Sequence, residues 1–152
     1  MRMWVSLYIS TIRQIFFFSF VVFITAILAG PILTGIILSL TDPLVYQISD
    51  IFDGLKYGVP LGILLCIPSW LLLSIAIRLV AKPGMSVIRV KFFACLTAAP
   101  LIILPFGILN FNELFNKFFW TSSVFQFLSY YLITLISIWS YKLKLPMVQT
   151  EV

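Results

Sequence analysis

The sequence lacks histidine altogether, and only two cysteines and five acidic residues occur among its 152 residues. Histidine is the commonest general acid or base in enzymes and the commonest metal ligand, so its absence removes the usual starting point for both kinds of site. The sequence also contains no paired-cysteine motif, no glycine-rich phosphate loop and no Ser-His-Asp set. We therefore predict a protein without catalytic residues, metal or cofactor, which is not an enzyme.

Charge is also scarce, and what replaces it is apolar. Charged residues make up 10% of the chain and hydrophobic residues 62%, with a mean hydropathy of +1.14. Four runs contain no charged residue, at positions 14–41, 57–77, 92–112 and 118–141. About 20 apolar residues suffice for a helix to cross a bilayer. We predict an all-α, polytopic membrane protein that forms a single four-helix transmembrane domain over residues 1–152, with spans at about 15–40, 58–78, 92–111 and 119–141.

The basic residues are concentrated in the connections on one side of these spans. That side carries Arg2, Arg13, Arg78, Lys82, Arg89, Lys91, Lys142 and Lys144. The other side carries Lys56 and Lys117 together with four of the acids. By the positive-inside rule both termini are cytoplasmic. The net charge of +5 therefore orients the chain and does not indicate a nucleic-acid partner. Compactness, this topology and the lack of eukaryotic targeting signals predict the bacterial inner membrane.

The stretch DIFDGLKYGVPLGILLC begins with two acids three residues apart, followed by glycine. Asp50, Asp53 and Gly54 resemble the opening of the CDP-alcohol phosphotransferase signature, whose acids hold metal. Tyr57 and Gly58 replace the Ala-Arg that continues this signature, and no second acid pair follows. We interpret the acids as the water-facing side of a short amphipathic surface helix between spans one and two. With Asp42 they form a candidate outer recognition surface.

The second half of the same stretch carries small residues at four-residue spacing, which places them on one face of a helix. In lipid, helices associate through small residues that let backbones approach closely. The set on span two is Gly54, Gly58, Gly62 and Cys66, and a similar set on span one is Ala26, Gly30 and Thr34. We interpret both as packing faces within the protein. The alternative is an interface between copies of the chain in a homo-oligomer.

Prolines interrupt spans two and three. Within a helix, proline cannot donate to the carbonyl four residues earlier. Pro60, Pro68, Pro100 and Pro105 therefore free carbonyls, and we expect hydroxyl groups such as those of Ser69 or Thr97 to bond to them.

Span four carries a stripe of polar residues along one face. This stripe consists of Ser122, Gln126, Ser129, Ser137 and Ser140. The opposite face carries Leu128, Tyr131, Leu132, Leu135 and Trp139. Three interpretations remain open: hydrogen bonds to the other spans, a wet cavity, or contact with a helix of a partner.

The four runs contain no Asp, Glu, Lys, Arg or His, which argues against ion-coupled transport. What remains is a protein that acts by contact with another component of the membrane. In size and topology the chain resembles the immunity proteins of pore-forming colicins and the superinfection-exclusion proteins of temperate phages. This resemblance implies protection against a pore-forming toxin or an incoming phage, with a membrane protein, toxin or phage component as partner besides the lipid bilayer. The alternatives are an accessory or assembly subunit of a larger membrane complex or transporter and, less favoured, a passive oligomeric pore.

Overall fold

The described parts of the chain are helical. The computed structural model describes residues 2–41, 48–82, 85–109 and 117–143, and it describes side chains at 11–41, 51–52, 55–56, 59–60, 62–82, 85–105 and 124–143. The helices are α1 (Arg2–Thr41), α2 (Ile48–Val80), α3 (Val87–Leu109) and α4 (Lys117–Ser140). They overlap the four predicted spans, and the predicted all-α fold with four helices is confirmed.

Three of these helices are long and apolar enough to cross a membrane. Their apolar parts are Thr11–Thr41, Gly62–Val80 and Val87–Pro105, with mean hydropathies of 2.5, 2.3 and 2.0. Among the described residues, the apolar part of α4 is shorter and covers Val124–Ser140. The helices are thus compatible with a membrane protein, and the crossing by α4 remains a prediction.

The segment predicted as a surface helix is continuous with span two in the backbone, since α2 begins at Ile48 and runs without a break to Val80. Asp50 and Asp53 therefore lie in the first turns of α2, although their side chains are outside the described residues, as is Asp42 altogether. The amphipathic character of this segment remains a prediction.

The helices pack in chain order, each on its neighbours. Contacts join α1 to α2, α2 to α3, α3 to α4 and α4 back to α1. Gly35 lies against Ile51, whereas Phe16, earlier in α1, lies against Trp70, later in α2, so these two helices are antiparallel. Lys91 near the start of α3 likewise meets the end of α4. The result is an up-down-up-down bundle.

The main apolar cluster lies at the end of the bundle that contains the α2–α3 turn, which we call the Lys91 end. Its buried residues are Ile15, Phe18, Val22, Phe23, Leu73, Ile77, Val90, Ala94, Cys95, Ala98, Ile138 and Leu143. Small residues of α3 allow the larger side chains of α1 and α2 to fill the centre. The cluster therefore holds all four helices together at this end.

The exterior of the bundle is far more apolar than that of a soluble protein, and its interior contains hydroxyl groups beside the apolar cluster. Several side chains that are fully buried carry hydroxyl groups, namely Ser19, Ser69, Ser74, Ser129 and Thr134. Many large apolar side chains point outward, among them Phe17, Leu40, Leu64, Leu79 and Ile88. In water an apolar exterior of this extent would drive association with other surfaces. It suits hydrocarbon surroundings, where the exterior meets lipid chains.

Candidate functional site

Lys91 is the centre of a polar network at the Lys91 end of the bundle. Among the charged side chains that the structure describes, it alone is buried, with 8% of its surface exposed. Its Nζ donates hydrogen bonds to the carbonyl oxygens of Trp139 (3.0 Å) and Tyr141 (2.8 Å). These carbonyls lie at the C-terminal end of α4, where the helix leaves carbonyl groups without internal partners and carries partial negative charge. Lys91 of α3 thus caps α4.

An aromatic ring completes the surroundings of this ammonium group. Nζ of Lys91 lies 5.8 Å from the centroid of the Trp139 ring, within the range of a cation–π interaction. The quadrupole of the indole ring and the two carbonyls offset part of the lost hydration of the charge. The sequence pattern indicates Lys91 only as part of the charge bias and does not indicate this capping role.

Tyr141 connects the network to α1. Its hydroxyl lies 2.8 Å from Oγ1 of Thr25. Thr25 donates its single hydroxyl proton to the carbonyl oxygen of Val21, so the Tyr141 hydroxyl is the donor to Thr25. The backbone carbonyl of Tyr141 accepts from Lys91 while its hydroxyl bonds to α1, and this one residue therefore links α1, α3 and α4.

Trp70 joins α2 to α1 near the same end. Its indole nitrogen donates to the carbonyl oxygen of Phe16 at 3.2 Å. Its ring makes edge-to-face contacts with Phe16 and Phe20, with centroids 5.9 Å and 5.6 Å apart. Such pairs add about 0.5–1.5 kcal/mol beyond the burial of apolar area. Trp70 therefore supplies both an apolar contact and a polar bond to α1.

Ser69 bonds to a carbonyl that a proline leaves free, as predicted. Its hydroxyl donates to the carbonyl oxygen of Leu101 at 2.7 Å, and Leu101 lies four residues before Pro105. The expectation for Thr97 is wrong. Its hydroxyl donates to the carbonyls of Phe93 and Ala94, neither of which lies four residues before a proline. The reason is that Thr97 reaches the preceding turn of its own helix, the usual local partner of a threonine within a helix.

Replacing Ser69 by alanine should lower the free energy of unfolding by roughly 0.6–1.7 kcal/mol, because the Leu101 carbonyl then lacks a donor. In a Pro105→Ala background the same change should cost close to nothing, since the backbone N–H that this background gains at position 105 supplies the missing bond. Unfolding in a mixed-detergent titration, applied to both single variants and the double variant, measures this coupling. Equal costs in the two backgrounds would show that the Ser69 hydroxyl does not serve the carbonyl freed by Pro105.

The small residues predicted on span one lie inside the bundle. Ala26, Gly30 and Thr34 are all buried, and Thr34 donates to the carbonyl oxygen of Gly30 at 2.9 Å. A Cβ atom added to Gly30 would lie 2.7–2.9 Å from ring atoms of Tyr130 in α4. Gly30 thus admits an aromatic ring against the backbone of α1, in a contact between α1 and α4.

The small residues predicted on span two are described in part. A Cβ atom on Gly62 would lie 3.2 Å from Ile27, so Gly62 faces α1, while Cys66 is half-buried against the apolar cluster. The surroundings of Gly54 and Gly58 are outside the described residues. Gly35, which sequence analysis did not select, also lies in a helix contact, against Ile51.

The predicted polar stripe of α4 divides into buried and exposed members. Ser129 and Ser137 are buried, and their hydroxyls donate to carbonyls of their own helix, at Phe125 (2.7 Å) and Ile133 (2.8 Å). Gln126 is half-buried, Ser140 is exposed, and the side chain of Ser122 is outside the described residues. The hydroxyls of Ser129 and Ser137 therefore donate within α4.

The opposite face of α4 is partly exposed, and one buried residue of this helix was not predicted. Leu128, Leu132 and Trp139 are exposed, as expected of an outward face. Tyr131, in contrast, is half-buried, and its hydroxyl lies 3.4 Å from the carbonyl oxygen of Cys95. Thr134 is fully buried and donates to the carbonyl oxygen of Tyr130. Thr134 lies beside the predicted stripe on the helical wheel, so a stripe drawn over a wider arc would have included this residue.

No protein-family model, curated protein or solved structure matches the chain. The residues that the structure describes contain no group of three or more His, Cys, Asp or Glu side chains that could hold a metal ion. The arrangement that is present joins the helices: a buried ammonium group caps one helix, a tyrosine links three helices, and a serine replaces a backbone donor.

Proposed function

We propose that this protein crosses the bacterial inner membrane four times, with both termini in the cytoplasm, and acts without catalysis by contact with another membrane component. The cation bias along the sequence supports the orientation. Three apolar helices of sufficient length support the spanning, and α4 packs between α1 and α3 in the same bundle. The Lys91 end of the bundle then lies on the cytoplasmic side.

The single observation that carries the contact function is the apolar exterior of the bundle. Buried hydroxyls such as those of Ser19, Ser69 and Ser129 bond to carbonyls within the molecule. The sides of the bundle present large apolar side chains, such as Leu64 and Leu79 of α2, which are 66% and 70% exposed. A component that approaches within the bilayer therefore meets an apolar surface, which supports recognition by packing.

The class of function that we propose is immunity or superinfection exclusion. A pore-forming toxin or a phage component must enter the bilayer to act, and there it can pack laterally on a small bundle of this kind. The predicted outer surface of Asp42, Asp50 and Asp53 would add a polar contact outside the membrane. The proposal rests on the apolar sides of the bundle together with the resemblance in size and topology to such proteins.

A challenge experiment tests this proposal. Cells that express the protein alone are challenged with a panel of phages and pore-forming colicins. The control cells carry the same vector with the start codon of the gene removed. Survival of at least one phage or colicin should be at least tenfold higher in the cells that express the protein. Growth without challenge should be the same in both. Unchanged survival throughout the panel, together with stoichiometric copurification of one larger membrane protein, would replace the proposal with the accessory-subunit function. Conductance of the purified protein in planar bilayers would instead indicate a pore.

A further inference from the structure

A groove lies between α1 and the end of α4, near the Lys91 end of the bundle. Its volume is about 390 Å³, and it is lined by Gln14, Phe17, Phe18, Val21, Tyr141 and Lys142. Sites for small molecules typically measure roughly 300–1,000 Å³. The groove therefore has room for part of an amphiphilic molecule.

The wall that α1 contributes changes from polar to apolar along the helix. Gln14, Phe17, Phe18 and Val21 are spaced as residues on one face of a helix. Gln14 and Val21 are seven residues apart, which corresponds to about 10 Å along the axis. Gln14 is exposed and offers an amide group at one end, whereas Phe18 and Val21 offer only hydrocarbon deeper along the bundle. A ligand that fits this wall has a polar head and an apolar chain.

The opposite wall is held in place by the polar network. Tyr141 is fixed at both ends, because its carbonyl accepts from Lys91 and its hydroxyl bonds to Thr25. Lys142 follows directly and is exposed at the polar end of the groove. The end of α4 would ordinarily repel an anion through its partial negative charge. Lys91 offsets that charge, so the polar end of the groove favours an anionic head group.

We propose that this groove binds one anionic phospholipid of the surrounding bilayer. The phosphate lies beside Lys142 and Gln14, and an acyl chain lies along Phe17, Phe18 and Val21. The charge of Lys142 complements the phosphate, and the predicted orientation places this end in the cytoplasmic leaflet, where a basic residue near anionic lipid gains about 1 kcal/mol, or about fivefold in binding.

Native mass spectrometry of the full-length protein tests the site. The protein is purified in detergent with equal amounts of phosphatidylglycerol and phosphatidylcholine that carry the same acyl chains. Wild-type protein should retain one phosphatidylglycerol in preference to phosphatidylcholine. Lys142→Gln should lower this preference about fivefold. Lys82→Gln, which removes an exposed charge at the same end but outside the groove, should leave it unchanged.

A second pair of variants tests the apolar part of the groove. Val21→Phe fills its deeper half and should reduce the retention of phosphatidylglycerol several-fold, whereas Ile32→Phe, on an exposed part of α1 outside the groove, should not. Equal retention of the two lipids by wild-type protein would overturn the proposal. So would equal behaviour of the Lys142 and Lys82 variants, normal retention by Val21→Phe, or saturation of the site by inorganic phosphate at the same concentration.

Discussion

Replacing Gly30 by leucine is expected to abolish accumulation of the folded protein. Even the first added carbon would lie 2.7–2.9 Å from the ring of Tyr130, closer than non-bonded carbon atoms approach each other. The ring cannot retreat easily, because Tyr130 belongs to the same helix as Thr134 and Ser137, which are buried. Overpacking of this kind costs roughly 1–3 kcal/mol and more where the backbone must move. Quantitative immunoblotting of the membrane fraction and detergent gel filtration measure the loss.

The matched control for this prediction lies two residues earlier on the same helix. Leu28 is 48% exposed, so Leu28→Phe adds volume on an outward-facing part of α1. This variant should accumulate and elute as the wild-type protein does. Normal accumulation of Gly30→Leu would mean that α1 and α4 do not approach as closely as the Gly30–Tyr130 contact requires.

Removing the ammonium group of Lys91 should produce the second large effect. In Lys91→Met the apolar stem remains, but the carbonyls of Trp139 and Tyr141 lose a charged donor at the end of α4. A hydrogen bond to a charged group contributes roughly 1.5–3 kcal/mol. We therefore expect the free energy of unfolding to fall by at least about 1.5 kcal/mol. Tryptophan fluorescence in an SDS titration measures this change.

Arg89→Met is the control that separates capping from topology. Arg89 lies two residues before Lys91, belongs to the same group of cations that the positive-inside rule predicts to be cytoplasmic, and is exposed. Both variants remove one positive charge from the same side of the membrane, so a change in orientation would affect them equally. If the two variants unfold at the same detergent fraction, the bonds from Lys91 to α4 do not contribute to stability.

The helices were predictable because the signal is the absence of charge over whole segments. Runs such as 14–41 and 57–77 are apolar on every face of a helix. They can therefore be recognised as helices without knowing which face points into the bundle. The pairing of Ser69 with the carbonyl freed by Pro105 was predictable in kind, since a proline four residues after a carbonyl always removes its donor. The sequence did not specify that the carbonyl would be the one at Leu101.

The site depended on information that a single sequence does not contain. Arg89 and Lys91 have the same charge and nearly the same position, and only the rotation of α3 against α4 turns Lys91 inward and Arg89 outward. The groove arises similarly, from residues 14–21 and 141–142 at opposite ends of the chain. For Ser129 and Ser137 the sequence predicted the position of the side chains but not their hydrogen-bond partners. Their stripe was visible, but whether a hydroxyl bonds to a neighbour or to its own preceding turn depends on the distance between helices.

We propose that the chain crosses the membrane four times with the Lys91 end in the cytoplasm, and single-cysteine labelling of intact cells tests this orientation most directly. In a background in which Cys66 and Cys95 are replaced by alanine, Thr41→Cys, Lys82→Cys, Asn112→Cys and Lys142→Cys are each treated with a membrane-impermeant maleimide before and after permeabilisation of the inner membrane. We predict that the cysteines at 41 and 112 react in intact cells, whereas those at 82 and 142 react only after permeabilisation. Labelling at 82 or 142 in intact cells, or protection at 112, would contradict the four-span orientation.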